Sequence, residues 1–213
     1  MSHAPESLEQ LGRYWSRQGG RMLGIVGNTA HTVGYHLGRD RIYDAGGPGL
    51  GDQDYSVQRP RDKEGLTNAA SAIDLGRIDG ELRKLQRFSR WLVEQCLLKK
   101  PGTQDIREVI YSPDGQLVLR FSQPDDAIYT GPGNGDSGHR THTHISYFRD
   151  SEDRDKVAVF RPYFDAPAPD ATPFDQADVD AAIAAALGAD HHAAEIAALT
   201  LRLEAIARLA SET

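Results

Sequence analysis

Between His139 and Tyr147 the chain reads HRTHTHISY, a stretch that leaves few local conformations open. Successive side chains of a β-strand point to opposite faces, whereas a helix repeats every 3.6 residues. The alternation predicts a strand. His142 and His144 would project from one face of it, and Thr141, Thr143 and Ile145 from the other. Two imidazoles held side by side suit a metal ion, or a metal together with an acid or base. The same pattern also suits a half-exposed polar strand whose histidines are only hydrogen-bonded.

The rest of the chain supplies partners for such a strand. Leu8, Leu11, Tyr14 and Trp15 recur at helical spacing, predicting a helix from Ser7 to Arg17 capped by Ser7 and ended by Gly19-Gly20. Met22 to Val26 fits a strand or a buried connector. Leu82, Leu85, Phe88, Leu92 and Cys96 mark the clearest helix, Gly80 to Leu98, with Asp79 as its cap and Pro101-Gly102 as its stop. Ile106 to Ser122 alternates around Pro113-Asp114-Gly115 and reads as a hairpin. The apolar run VAVFRPYF, from Val157, reads as a last short strand. These elements predict an α+β fold, a small antiparallel sheet with packed helices and long loops, in a domain spanning 1–165. A Pro/Ala linker at 166–174 and a helical tail at 175–213 complete the chain. Ile196, Leu199, Leu203 and Ile206 give the tail a coiled-coil spacing, suited to self-association or docking.

Composition narrows the function. A net charge of −7 without a basic stripe argues against nucleic acid as a partner. No apolar run is long enough to cross a membrane, and MSHAPESLEQ carries no classical secretion signal. The single cysteine, Cys96, rules out an internal disulfide and a cysteine-rich zinc site, and points to a reducing folding compartment. The Gly-, Pro- and Asp-rich stretch after Asp44 is long for a structureless loop, and loops of that length are usually functional. It lacks the Lys-Ser/Thr of a phosphate-binding loop.

The residues with metal-binding chemistry are His31, His36, Asp40, Asp44, Asp74, His139, His142 and His144. Asp74 stands between Ile73 and Leu75, and a carboxylate among apolar neighbours must be paired, hydrogen-bonded or bound to a metal. A catalytic zinc site uses three protein ligands and leaves a position for water, so two histidines and one carboxylate suffice. His31 and Asp40 are candidates for orienting a ligand imidazole, and His139 for contacting substrate. Arg41 and Arg140 are candidates for a forked contact with a substrate carboxylate.

The segments YHLG (from Tyr35), SAIDLG (from Ser71) and HTHIS (from His142) occur in an order that resembles the D-Ala-D-Ala metallocarboxypeptidases and related endolysin peptidases. Their wider superfamily includes lysostaphin-type peptidases and hedgehog domains. The span from His31 to Tyr147 is also similar to tail- or lysis-associated proteins of actinobacterial phages. The resemblance implies a zinc cofactor held by His36, Asp74 and His144, with His142 as general acid/base or transition-state stabiliser. It implies cleavage of peptidoglycan peptides by zinc-bound water, in a virion or in the host cytoplasm before release. Thr67 stands where the family spacing puts the first histidine. Either a long insertion separates His36 from Asp74, or the first ligand is lost. Insertion is allowed, because the cost of loop closure grows slowly with length. Loss would leave a catalytically inactive scaffold or wall-binding component of a phage tail or capsid, docked to virion proteins through the tail helix.

Overall fold

The alternating stretches pair with one another into a sheet whose two faces differ in chemistry. In a computed structural model, which describes residues 1–28, 32–43, 50–131 and 133–165, the sheet has six antiparallel strands. They are β1 (Gly20–Gly24), β2 (Ala72–Ile78), β3 (Ile106–Tyr111), β4 (Leu119–Ser122), β5 (Ala127–Tyr129) and β6 (Thr143–Tyr147), in the order β1-β2-β6-β3-β4-β5. The fold is α+β, as expected. The linker at 166–174 and the tail at 175–213 lie outside the described residues. Among the described residues, no helix is long and apolar enough to cross a membrane.

Register assigns the faces. Ile73, Ile145, Val109, Phe121 and Ile128 stand opposite one another across β2, β6, β3, β4 and β5, and all are buried. Over this apolar row pack α1 (Glu6–Arg17), α4 (Leu82–Leu97) and α5 (Val157–Asp165). The Trp15 ring lies 4.7 Å from Phe88 and 6.3 Å from Phe160, in the tilted and edge-on geometries that aromatic quadrupoles favour. Stepping one residue along each strand reverses the face. Asp74, His144, Ile110, Arg120 and Tyr129 form the next row. Ala72, Ser146, Glu108, Ser122 and Ala127 form a second row on that same polar side. A register shift between Ile106 and Glu108 adds one residue to β3, so that Arg107 joins Glu108 on the polar face.

Several expectations are corrected. VAVFRPYF is helical, not a strand. The carboxylate of Asp155 accepts the Val157 N–H at 2.7 Å, as a helix cap does, and Val157 and Phe160 are buried on one side. The β-branched and aromatic composition suggested a strand, but packing against Trp15 and Phe88 outweighs that preference. Ser7 lies inside α1 rather than capping it, and its hydroxyl donates to the Glu152 carbonyl. Asp79 does not cap α4 but pairs with Lys84 at 2.8 Å. Of the two readings of the run from Met22, the strand is the one found: β1 is a sheet edge with Met22 and Leu23 exposed.

The polar face is covered by the chain between β1 and β2. Within it an excursion starts after Gly38 and returns at Asn68, passing through α2 (Arg39–Tyr43), two short 3-10 turns and α3 (Pro60–Lys63). The two ends of the excursion are tied together. Arg39 N–H donates to the Thr67 carbonyl at 2.7 Å, and Ser71 N–H to the Tyr35 carbonyl at 2.7 Å. A Cβ at Gly38 would fall 2.1 Å from the Asn68 carbonyl oxygen, so only glycine allows this approach. The excursion has its own small core of Leu37, Ile42 and Val57. Buried Arg149, just past β6, locks it to the sheet. Its guanidinium donates to the carbonyls of Leu37 (3.1 Å) and Ala69 (3.3 Å) and to Ser56 Oγ (3.2 Å).

Candidate metal centre

Asp74 and His144 are cross-strand neighbours on β2 and β6, which brings their side chains together on the polar face. His144 Nδ1 lies 2.9 Å from Asp74 Oδ1. The tied neck at Gly38 and Asn68 delivers His36 to the same point. Its Nε2 is 3.1 Å from His144 Nδ1 and 3.3 Å from Asp74 Oδ2. His36 and His144 are buried, and Asp74 is partly so. Thr67 lies at the neck, away from this group, and its hydroxyl donates to Glu152 at 2.6 Å. His36 therefore reaches the cluster, although it lies far from Asp74 in the chain.

The outward nitrogens of both imidazoles are already committed. His36 Nδ1–H donates to the Ile25 carbonyl at 2.5 Å. His144 Nε2–H donates to Ser146 Oγ at 2.8 Å, and the Ser146 hydroxyl in turn donates to Glu108 Oε1 at 3.2 Å. In the neutral rings the inward atoms, His36 Nε2 and His144 Nδ1, then carry lone pairs. Two lone pairs and a carboxylate facing one another need a cation among them. Four donors about 2.0–2.2 Å from a tetrahedral ion stand roughly 3.3–3.6 Å apart, close to the spacings seen here. The group can therefore hold a metal ion.

Without an ion, protons take its place. Burial pushes Asp74 upward, but the hydrogen bonds and charge of His144 and His36 outweigh it and hold its carboxyl well below the usual carboxylate range. Burial disfavours the charged form of His36, yet the Asp74 carboxylate and the Ile25 carbonyl raise its pKa overall.

His142 lies in the bend before β6 rather than on the strand itself, and still faces the cluster. Its Nδ1–H donates to the Gly138 carbonyl at 2.9 Å, and its Nε2 lies 3.8 Å from Asp74 Oδ1. Thr143 and Ile145 face the opposite side, as expected, with Thr143 Oγ1 bonded to Ser89 Oγ of α4 at 2.6 Å. Thr141 does not: it lies in the exposed turn before the strand. His139 lies on a 3-10 turn, its ring 4.6 Å from His142 and 5.9 Å from His144. Burial, then the charges of His142 and His144, push its pKa down to about 4. Asp40 is placed elsewhere. It accepts the Ser2 hydroxyl at 2.6 Å and lies 3.5 Å from the amino group of Met1. His31 and Asp44 lie outside the described residues.

Sequence reasoning missed the supports of the cluster: the Ile25 carbonyl, Ser146 and Glu108. For Ser146 a signal existed, because it stands two residues beyond His144 on a strand and must share its face. Glu108 was legible only as a charge within an apolar strand. Comparison of the chain with family models, with curated proteins and with solved structures finds no match, and the centre is read from its own geometry.

Proposed function

We propose that His36, Asp74 and His144 bind a zinc ion and that the site hydrolyses a peptide bond in peptidoglycan. The observation that carries this reading is the meeting of His36, Asp74 and His144, each offering a ligand atom, with these atoms all within 4.8 Å of one another. A zinc ion held there supplies Lewis acidity to a carbonyl and a water of lowered pKa. The protein's own groups do the rest. Ile25 and the Ser146–Glu108 pair fix the ring orientations of the two ligands. The bond from His142 Nδ1–H to Gly138 leaves its Nε2 facing the cluster, free to take a proton from the nucleophile and hand it to the leaving amine. The choice of zinc and of peptidoglycan rests on the order of YHLG, SAIDLG and HTHIS. That resemblance also supports a phage setting, in the virion or in the host before release.

The test is metal content followed by digestion. Purified under zinc-replete conditions, the protein should hold one zinc per chain, and His144→Ala should hold none. Cell-wall digests should show new peptide termini by mass spectrometry. His142→Ala should keep zinc and lose about a hundredfold to ten-thousandfold in rate. Absence of zinc from the unaltered protein would overturn the site. Zinc without cleavage would leave a metal-binding scaffold.

A further inference from the structure

Lys156, one residue before α5, is buried to 2% exposure. Its ammonium donates to the Ser151 carbonyl and, at 2.9 Å, to Ser151 Oγ, and lies 5.0 Å from the centre of the Tyr147 ring. Among the described residues no carboxylate is paired with it. The acids that act on it from a distance, Asp105 and Asp150, are both held by Arg154 and Arg61. A buried charge without a partner is costly. Burial pushes the Lys156 pKa down to about 8, although Asp105 pulls it up.

Lys156 borders a cavity of about 10 Å³ open to the centre of a water-sized sphere, room for one such particle. Ser71, Ser151, Tyr147 and the start of α1, at Pro5 and Ser7, border it too. These groups offer mostly donors. Ser71 Oγ is buried and has no hydrogen-bond partner. Lys156 keeps a third ammonium proton beyond the two spent on Ser151. The first N–H groups of a helix lack carbonyl partners, and that end favours negative charge. The one acid at the rim is already engaged: the Glu152 carbonyl accepts the Ser7 hydroxyl, and its carboxylate accepts the Thr67 hydroxyl.

We infer that this cavity binds a small monovalent anion of halide size, with Lys156 as its charge partner and Ser71 as a second donor. A water molecule would need acceptors for its own protons and would leave the ammonium uncompensated. Phosphate, sulfate and carboxylates are too large for the space. Tyr147 shares the apolar side of β6 with Ile145, so the cavity lies across the sheet from His144. It sits where the starts of α1, β2 and α5 meet. Ser71 N–H also holds the Tyr35 carbonyl, one residue before His36, so the anion stands behind the neck. The site is independent of the hydrolase reading.

Chloride and bromide are the probes, used on the full chain. Thermal melts compare sodium chloride with sodium gluconate at equal ionic strength, gluconate being too large to enter. The midpoint should rise with chloride and saturate, gaining about 3–6 °C when chloride reaches about ten times its dissociation constant. Lys156→Met should lose this gain, and Ser71→Ala should weaken chloride binding by about tenfold. His144→Ala should keep the gain, which separates the cavity from the metal centre. Crystals of the unaltered protein grown in bromide should show an anomalous peak between Lys156 and Ser71, a readout that needs no variant to fold. Equal melts in chloride and gluconate, an equal gain in Lys156→Met, a gain lost in His144→Ala, or no bromide peak in the cavity would each overturn the assignment.

Discussion

At the candidate metal centre, the side chains behind His36, Asp74 and His144 matter almost as much as those three residues. Ser146 holds His144 by its outer nitrogen and passes the contact on to Glu108. Ser146→Ala should leave the fold intact and weaken zinc binding by about tenfold to a hundredfold, read by competition with a chromogenic chelator. Protonation makes a second prediction. In the metal-free protein the Asp74 carboxyl is held below its ordinary value of 3.8, so its stabilisation is present above that pH and lost as pH falls below it. His36 is raised above its ordinary 6.5, so its contribution is complete below that pH and lost as pH rises through the folded value. The pair therefore stabilises the metal-free protein most between 3.8 and 6.5. Zinc needs the neutral imidazole, so its affinity rises with pH over the range where His36 loses its proton. Thermal melts from about pH 6 to about pH 8 should show the metal-free midpoint falling and the zinc-dependent gain growing. A zinc-dependent gain that shrinks over that range would contradict the assignment of His36.

Among the elements, the neck of the excursion is the joint on which the centre depends. Gly38 meets the backbone of Asn68, which cannot swing aside as a side chain can. Gly38→Ala should cost about 1–3 kcal/mol in chemical denaturation and lower zinc affinity as well, because His36 lies two residues away. A loss of stability with zinc affinity unchanged would show that the neck does not position His36. The strands β3, β4 and β6, and the helices α1 and α4, were legible from local periodicity, because their buried faces are continuous in sequence. Helix α5 was not. Its cap, Asp155, and its aromatic partners on α1 and α4 outweigh a composition that favours strands. The neck was not legible either, since it depends on contacts between residues far apart in the chain.

Across the whole domain, an apolar face covered by helices carries the bulk of the core, and a polar face covered by the excursion carries the His36–Asp74–His144 group. Buried charges bind the two parts of the polar side together. Arg107 reaches Asp62 of α3 at 3.4 Å, and both are almost wholly buried. Without Asp62, Arg107 keeps Glu108 at 3.4 Å but loses its other carboxylate, so Asp62→Ala should cost about 1–3 kcal/mol, read from the denaturation midpoint. A change of a few tenths would mean that water already reaches the pair.

Local sequence carried the period-two strand, the amphipathic helices and the hairpin, since spacing and residue chemistry suffice for each; among eight residues with metal-binding chemistry, only the resemblance singled out His36, Asp74 and His144. It left open whether His36 reached Asp74, because a chain of that length closes at nearly any separation for little additional entropy. Tertiary contacts settled that point through the paired backbone at Gly38 and Asn68 and the Arg149 clamp. Register then brought together residues that no motif links, Ser146 and Glu108 behind His144. Strand pairing is a long-range choice, and the side chains sharing a face emerge only once the strands are side by side.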